Sequence, residues 1–274
     1  MATLDDMDSD APTHRTHGAP GGARRPADRL RRRWTLAVGA GVAVIVCGAL
    51  ALAAVRTPVT GLWWILGAGA VLVVEASLLW RGLDANRTTR EAPLLPTLGL
   101  ANGLTLVRGL ALAAVAGFLL LPRPVGALAW APGALYGAAA LLDQVDGRVA
   151  RGYGRTTLLG ERLDMAFDTV GLLVAPVLAV RYGQLPVWYL AVSAARYVFL
   201  AALFVRRRRG LPIHDLPESP VRRPLAGVQM AVVALALSPV LGPPTTTLLA
   251  TVAMVPFLAG FARDWLAVSG RSPR

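Results

Sequence analysis

The stretch DQVDGRVARGYGRTTLLGERLDMAFD, from Asp143 to Asp168, decides how the chain is read. Apolar sequence flanks it on both sides, yet it carries Asp143, Asp146, Asp164 and Asp168 where two membrane helices should end and begin. Carboxylates are expensive at such positions, and those that persist mark functional sites. Asp143 and Asp146 are three residues apart, and Asp164 and Asp168 are four apart, so each pair shares one helical face. If the loop from Gly147 to Gly160 folds back and the two helices pack antiparallel, all four acids converge at the membrane's edge. Their repulsion is then relieved by proton uptake or by divalent cations. An all-oxygen donor set with no nearby Cys or His suits Mg2+ or Mn2+ rather than Zn2+. Four carboxylates suit two ions, and a metal pair is what a displacement at phosphorus requires. The plainer alternative is an interfacial charge network with Arg148, Arg151, Arg155 and Arg162.

Outside this stretch the composition is that of a membrane protein. The chain has 274 residues, of which 55% are hydrophobic, and a mean hydropathy of +0.53, with several apolar runs of membrane-spanning length. The formal net charge of +12 comes from 28 basic residues, all arginine. An Arg-, Ala-, Gly- and Pro-rich chain without lysine reflects a GC-rich coding bias. Arginines at an inner leaflet meet anionic headgroups and phosphorylated ligands, so no nucleic-acid partner is expected. Cys47 is the sole cysteine and forms no internal disulfide.

Apolar segments are expected at about 34–55, 61–80, 98–121, 125–147, 160–181, 185–205, 224–240 and 245–265, punctuated by Pro and Gly. The expected fold is all-α, a six-helix transmembrane catalytic bundle preceded by a two-helix transmembrane hairpin. Residues 1–33 read as a disordered cytoplasmic tail, 34–95 as the hairpin and a polar linker, 96–268 as the bundle and 269–274 as a short tail. A cleaved signal peptide is disfavoured by the length of both the basic leader and the apolar run. Glu75 lies within two helical turns of Arg81 and is expected to reach the interface. All arginines except Arg56, Arg123, Arg181 and the intramembrane Arg108 and Arg196 fall on the side of the N-terminus, which is therefore expected to be cytoplasmic. A plasma-membrane protein with its site facing the cytoplasm follows.

The segment resembles the signature of the CDP-alcohol phosphatidyltransferases, D-x-x-D-G-x-x-A-R-x8-G-x-x-x-D-x-x-x-D. Asp143, Asp146, Gly147, Ala150, Arg151, Gly160, Asp164 and Asp168 fill its eight fixed positions. Upstream, Asn102, Thr105 and Arg108 resemble the family's N-x-x-T-x-x-R, with Ala101 where a proline is usual. The resemblance covers about 96–268 and leaves the tail and hairpin unmatched. It implies that Asp143, Asp146 and Asp164 ligate metal, while Asp168 deprotonates the acceptor hydroxyl and also lies close to the ions. It further implies that Gly147, Ala150 and Gly160 let a cytidine diphosphate group approach the backbone, with Asn102 and Thr105 lining the nucleotide pocket. Arg151 either binds a diphosphate oxygen or orients an aspartate. CDP-diacylglycerol as donor, an alcohol as acceptor and a homodimer are implied in the same way.

Arg196 lies midway along an expected span, where a guanidinium needs an anion or a water-filled cavity. Together with Arg222 and Arg223 it is a candidate pocket for an acceptor phosphate, as on glycerol 3-phosphate or inositol phosphate. The competing reading has Arg196 paired with an aspartate or with backbone carbonyls. A divalent-cation transporter or binding protein using the same acidic cluster is the alternative function, although no internal repeat of the kind transporters carry is visible.

Overall fold

The computed structural model describes residues 26–153, 156–216 and 219–271; of residues 146–153 it describes the backbone alone. Residues 1–25 of the tail expected over 1–33 lie outside the described residues, and residues 26–33, expected to be disordered, are helical. Eight α-helices follow one another: α1 (Pro26–Val55), α2 (Pro58–Gly82), α3 (Gly99–Gly117), α4 (Ala131–Tyr153), α5 (Leu158–Arg181), α6 (Leu190–Arg208), α7 (Arg222–Leu237) and α8 (Pro243–Val268). Their starts follow from local chemistry. Pro58 opens α2 behind Thr57, whose hydroxyl accepts the Thr60 N–H at 3.2 Å, and Thr157 caps α5 by accepting the Gly160 N–H at 3.0 Å. The first helix begins at Pro26, ahead of the apolar run at Trp34, so Arg29 to Arg33 are helical.

Six of these helices, α1, α2, α3, α5, α6 and α8, are long and apolar enough to cross a bilayer. Large exposed side chains such as Leu50, Val73, Val198, Leu248 and Val252 form the surface that faces lipid. The protein is thus an all-α, multi-pass membrane protein with six such helices among the described residues, where eight spans were expected. The difference has a physical cause. With 16 residues, α7 is about 24 Å long, short of the hydrocarbon thickness. The second half of α4 bears the charged residues of the signature.

The helix α3 is the hub, in contact with α2, α4 and α5, while α7 joins α4 and α5 to α8. Close approach depends on small residues, as expected where lipid offers no competing hydrophobic drive. At Gly61 an added Cβ would stand 2.5 Å from the Ala49 carbonyl oxygen of α1. Near the same hairpin's other end the Trp34 indole N–H donates to the Ala76 carbonyl at 2.9 Å and stacks edge-on against Trp80. Deeper polar groups are matched: the Tyr189 hydroxyl donates to Gln229 Oε1 at 2.6 Å, and Gln229 Nε2 to the Ala253 carbonyl at 2.7 Å. Glu75 departs from expectation. It is 4% exposed and packed between α2 and α3 instead of reaching the interface.

The linker at 81–96 is also more than a tether. Asn86 is fully buried; its Nδ2 donates to the carbonyls of Leu95 at 3.0 Å and Thr97 at 2.8 Å. The Leu158 N–H that opens α5 donates to the Arg87 carbonyl at 2.9 Å. The hairpin crossing is testable. Gly61→Ala should destabilise the protein by about 1–3 kcal/mol through overpacking against Ala49, read as a lowered unfolding midpoint in detergent. An unchanged midpoint would disprove the tight crossing.

Candidate metal and phosphotransfer site

The site forms where α3, α4 and α5 meet. Asp143 comes from α4, and Asp164 and Asp168 come from successive turns of α5. The i, i+4 spacing turns the latter two to the same side. Each of the three carboxylates offers an oxygen, and these atoms all lie within 4.8 Å of one another. The helices approach more directly than a fold-back from Gly147 to Gly160 would have it, because α4 continues to Tyr153 and α5 opens at Leu158. The Asp146 side chain lies outside the described residues, as do those of Gly147, Ala150 and Arg151 in the backbone of α4.

At the centre stands Arg108, which is 2% exposed. Its Nη1 donates to Asp143 Oδ1 and, at 2.6 Å, to Asp164 Oδ1. Its Nη2 donates to Asp168 Oδ1 at 3.0 Å and to the Asp164 carbonyl oxygen at 3.1 Å. One guanidinium therefore cross-links two helices from a third, and its planar fork suits that task where a lysine would not. The sequence reading placed Arg108 within a span and gave it no part in the acidic site. The signal was available, because an intramembrane arginine requires an anion and these aspartates supply it.

The residues expected to line a nucleotide pocket are brought together in part. Asn102 is buried, and its Nδ2 donates to Thr157 Oγ1 at 3.2 Å and Asn86 Oδ1 at 3.4 Å. Its Oδ1 lies 2.5 Å from where a Cβ on Gly160 would stand, so only glycine admits this contact. Thr105 follows one turn along α3, with its hydroxyl donating to the Ala101 carbonyl at 3.1 Å. Asn102, Thr105, Gly160 and the carboxylates thus share one end of the α3–α5 interface.

The three arginines of the expected phosphate pocket are less uniform. Arg196 Nη2 approaches the Met165 carbonyl at 3.5 Å, and its charge reaches Asp168. The Arg223 charge reaches Asp143, and its side chain lines a groove of about 650 Å³ with Gln144 and Gly227, between α4 and α7. Arg222 instead forms a two-point ion pair with Asp264 of α8, at 2.7 and 2.9 Å.

The donor set can be tested against a metal by size and chemistry. Oxygens around Mg2+ at about 2.0–2.1 Å lie at most about 4.2 Å apart, so three carboxylates within 4.8 Å of one another are near the spacing a hard cation needs. No nitrogen or sulfur ligand is among them, which matches Mg2+ or Mn2+. The Arg108 linkage makes its own prediction. Arg108→Gln leaves carboxylates facing one another with no cation, which should cost about 3–5 kcal/mol. Thermal unfolding in detergent should show the loss, and millimolar Mg2+ should recover more stability in this variant than in the unaltered protein. Equal unfolding temperatures without cations would mean that the guanidinium does not hold the cluster.

Searches of the curated proteins and of the solved structures returned no match. A comparison with protein families matches residues 98–268 to the CDP-alcohol phosphatidyltransferase family. That range begins at α3, excludes the α1–α2 hairpin, and contains every carboxylate of the site. By that match over most of its length, this membrane protein belongs to the CDP-alcohol phosphatidyltransferase family and is an enzyme of its phosphotransfer chemistry.

Proposed function

We propose that the protein transfers a phosphatidyl group from CDP-diacylglycerol to an alcohol, releasing CMP, in phospholipid biosynthesis. The observation that carries this reading is the convergence of Asp143, Asp164 and Asp168 within 4.8 Å, inside the region that matches the family. The acceptor oxygen attacks the lipid-side phosphorus, the bond from that phosphorus to the CMP oxygen breaks, and the hydroxyl proton passes to a carboxylate. Asp168 is assigned as that base. That role is carried over from the family resemblance; like Asp143 and Asp164, Asp168 is bonded to Arg108 through Oδ1, and its Oδ2 is the oxygen assigned to the proton.

Two Mg2+ or Mn2+ ions held by Asp143, Asp146, Asp164 and Asp168 would neutralise the diphosphate and lower the hydroxyl's pKa. The chain's own residues do the rest. Asn102, Thr105, Gly147, Ala150, Arg151 and Gly160 are assigned to the nucleotide pocket. Arg196 and Arg223, whose charges act on Asp168 and Asp143, take an acceptor phosphate such as that of glycerol 3-phosphate or inositol phosphate. Arg222, expected in the same pocket, is instead held by Asp264. The arginine distribution favours a site open to the cytoplasm of the plasma membrane, and homodimerisation is carried over from the family. A cation transporter with the same acidic cluster is disfavoured by the family match, whose chemistry is phosphotransfer.

The test is CMP release by purified protein given CDP-diacylglycerol, Mg2+ or Mn2+, and a panel of glycerol 3-phosphate, inositol phosphate, inositol and serine. Asp168→Asn should lower turnover by about 10²–10⁴, the range for loss of a positioned base. If no acceptor yields CMP above the Asp168→Asn background, the assignment fails.

A further inference from the structure

We propose that the groove between α1, α2 and α3 binds one phospholipid, anionic and with a free hydroxyl on its headgroup, at a place separate from the catalytic carboxylates. The lipid phosphate meets Arg33, the hydroxyl meets Glu75, and an acyl chain fills the groove.

The groove exists because α1 packs along α2 and meets α3 only sparsely. Its volume is about 690 Å³, and on α3 it is lined by Gly103, Leu106, Val107 and Leu110, a stripe at i, i+3, i+4 and i+7. That face of α3 is turned away from Thr105 and Arg108, so the groove is not part of the acidic site. Small residues give it depth. A Cβ added at Gly103 would meet nothing within 4 Å, and Ala37, Ala40 and Gly41 line the α1 side.

The groove has a polar end and an apolar end. The Trp34 indole bonds the Ala76 carbonyl at 2.9 Å, which sets the neighbouring Arg33 and Glu75 at one level, and both line the groove. Trp34 and Trp80 stack edge-on beside them, as aromatic side chains do at a membrane interface. From Arg33 to Val44, both in the groove wall, α1 rises about 16 Å. That is close to the depth of one leaflet's hydrocarbon, about 15 Å, so the walls match a lipid chain in both chemistry and length.

The polar end selects the headgroup. Arg33 is exposed, and a guanidinium at this level suits a phosphodiester. Glu75 is 4% exposed, and its Oε1 has no hydrogen-bond partner among the described residues. A buried polar atom left this way costs stability. Once the side chain turns toward the groove, a hydroxyl on the lipid supplies the missing bond, and a hydroxyl does so whether the carboxyl is protonated or not.

Native mass spectrometry of the full-length protein released from nanodiscs of equimolar phosphatidylglycerol, phosphatidylethanol and phosphatidylcholine tests the site by the lipids retained. The unaltered protein should keep phosphatidylglycerol over phosphatidylcholine by about fivefold. It should also prefer it to phosphatidylethanol, which has the same charge and no headgroup hydroxyl, by about threefold. Arg33→Gln should remove the first preference and Arg33→Lys should retain it, whereas Glu75→Leu should remove only the second. Gly103→Phe, which fills the groove from an unobstructed position, should expel the lipid. Equal retention of all three lipids by the unaltered protein would mean ordinary annular lipid and overturn the proposal, as would preferences that survive Arg33→Gln and Glu75→Leu. If Gly103→Phe splits a dimer and leaves lipid retention unchanged, the groove is a subunit interface and the proposal fails.

Discussion

The structure depends on how a bundle with a hydrocarbon surface tolerates several negative charges at one point. Arg108 answers that need by tying Asp143 of α4 to Asp164 and Asp168 of α5 from its own position on α3. Each partner alone would be costly to bury, whereas together they supply one another's hydrogen bonds. The arrangement fixes which faces of α3, α4 and α5 turn inward. It also sets how far the helices can rotate, since a turn of any one of them would strip a carboxylate of its donor.

Small residues make the linkage possible. A guanidinium can bridge two helices only if their backbones lie close. Gly109 admits Phe167 and Glu75, and Gly160 admits Asn102. Aromatic and aliphatic side chains such as Phe167, Leu163 and Leu112 fill the space between. Charge specifies the meeting point and packing supplies the affinity, because hydrocarbon against hydrocarbon gives helices in lipid little reason to choose a particular partner.

Much of this was legible in the sequence. The spacing of Asp164 and Asp168 gave their shared helical face, and the Pro and Gly punctuation placed α2, α3, α5, α6, α7 and α8 within about five residues of their observed limits, whereas α1 starts earlier and α4 is shifted towards the C-terminus. Spanning length and charge were harder to read: the apolar run of α7 was already too short to cross a bilayer, and α4 runs on through the signature to Tyr153. Arg108 was seen as an intramembrane charge but not joined to the acids, because the α3–α4 and α3–α5 packing that brings them together is tertiary. Glu75 was misplaced for a related reason. Local sequence showed Arg81 and the interface nearby, while the space beside Gly109 exists only once α2 docks on α3. Arg222 looked equivalent to Arg223, and only its pairing with Asp264 distinguishes them.

Asn86 bears on how the two parts of the chain behave together. Its amide binds the Leu95 and Thr97 carbonyls on one side and accepts from Asn102 on the other, while Arg87 supplies the acceptor for the first N–H of α5. The segment joining hairpin to bundle is therefore hydrogen-bonded to the starts of α3 and α5. Through these bonds and the packing of α2 on α3, the first two helices are tied to the rest of the structure at several points rather than through a free linker.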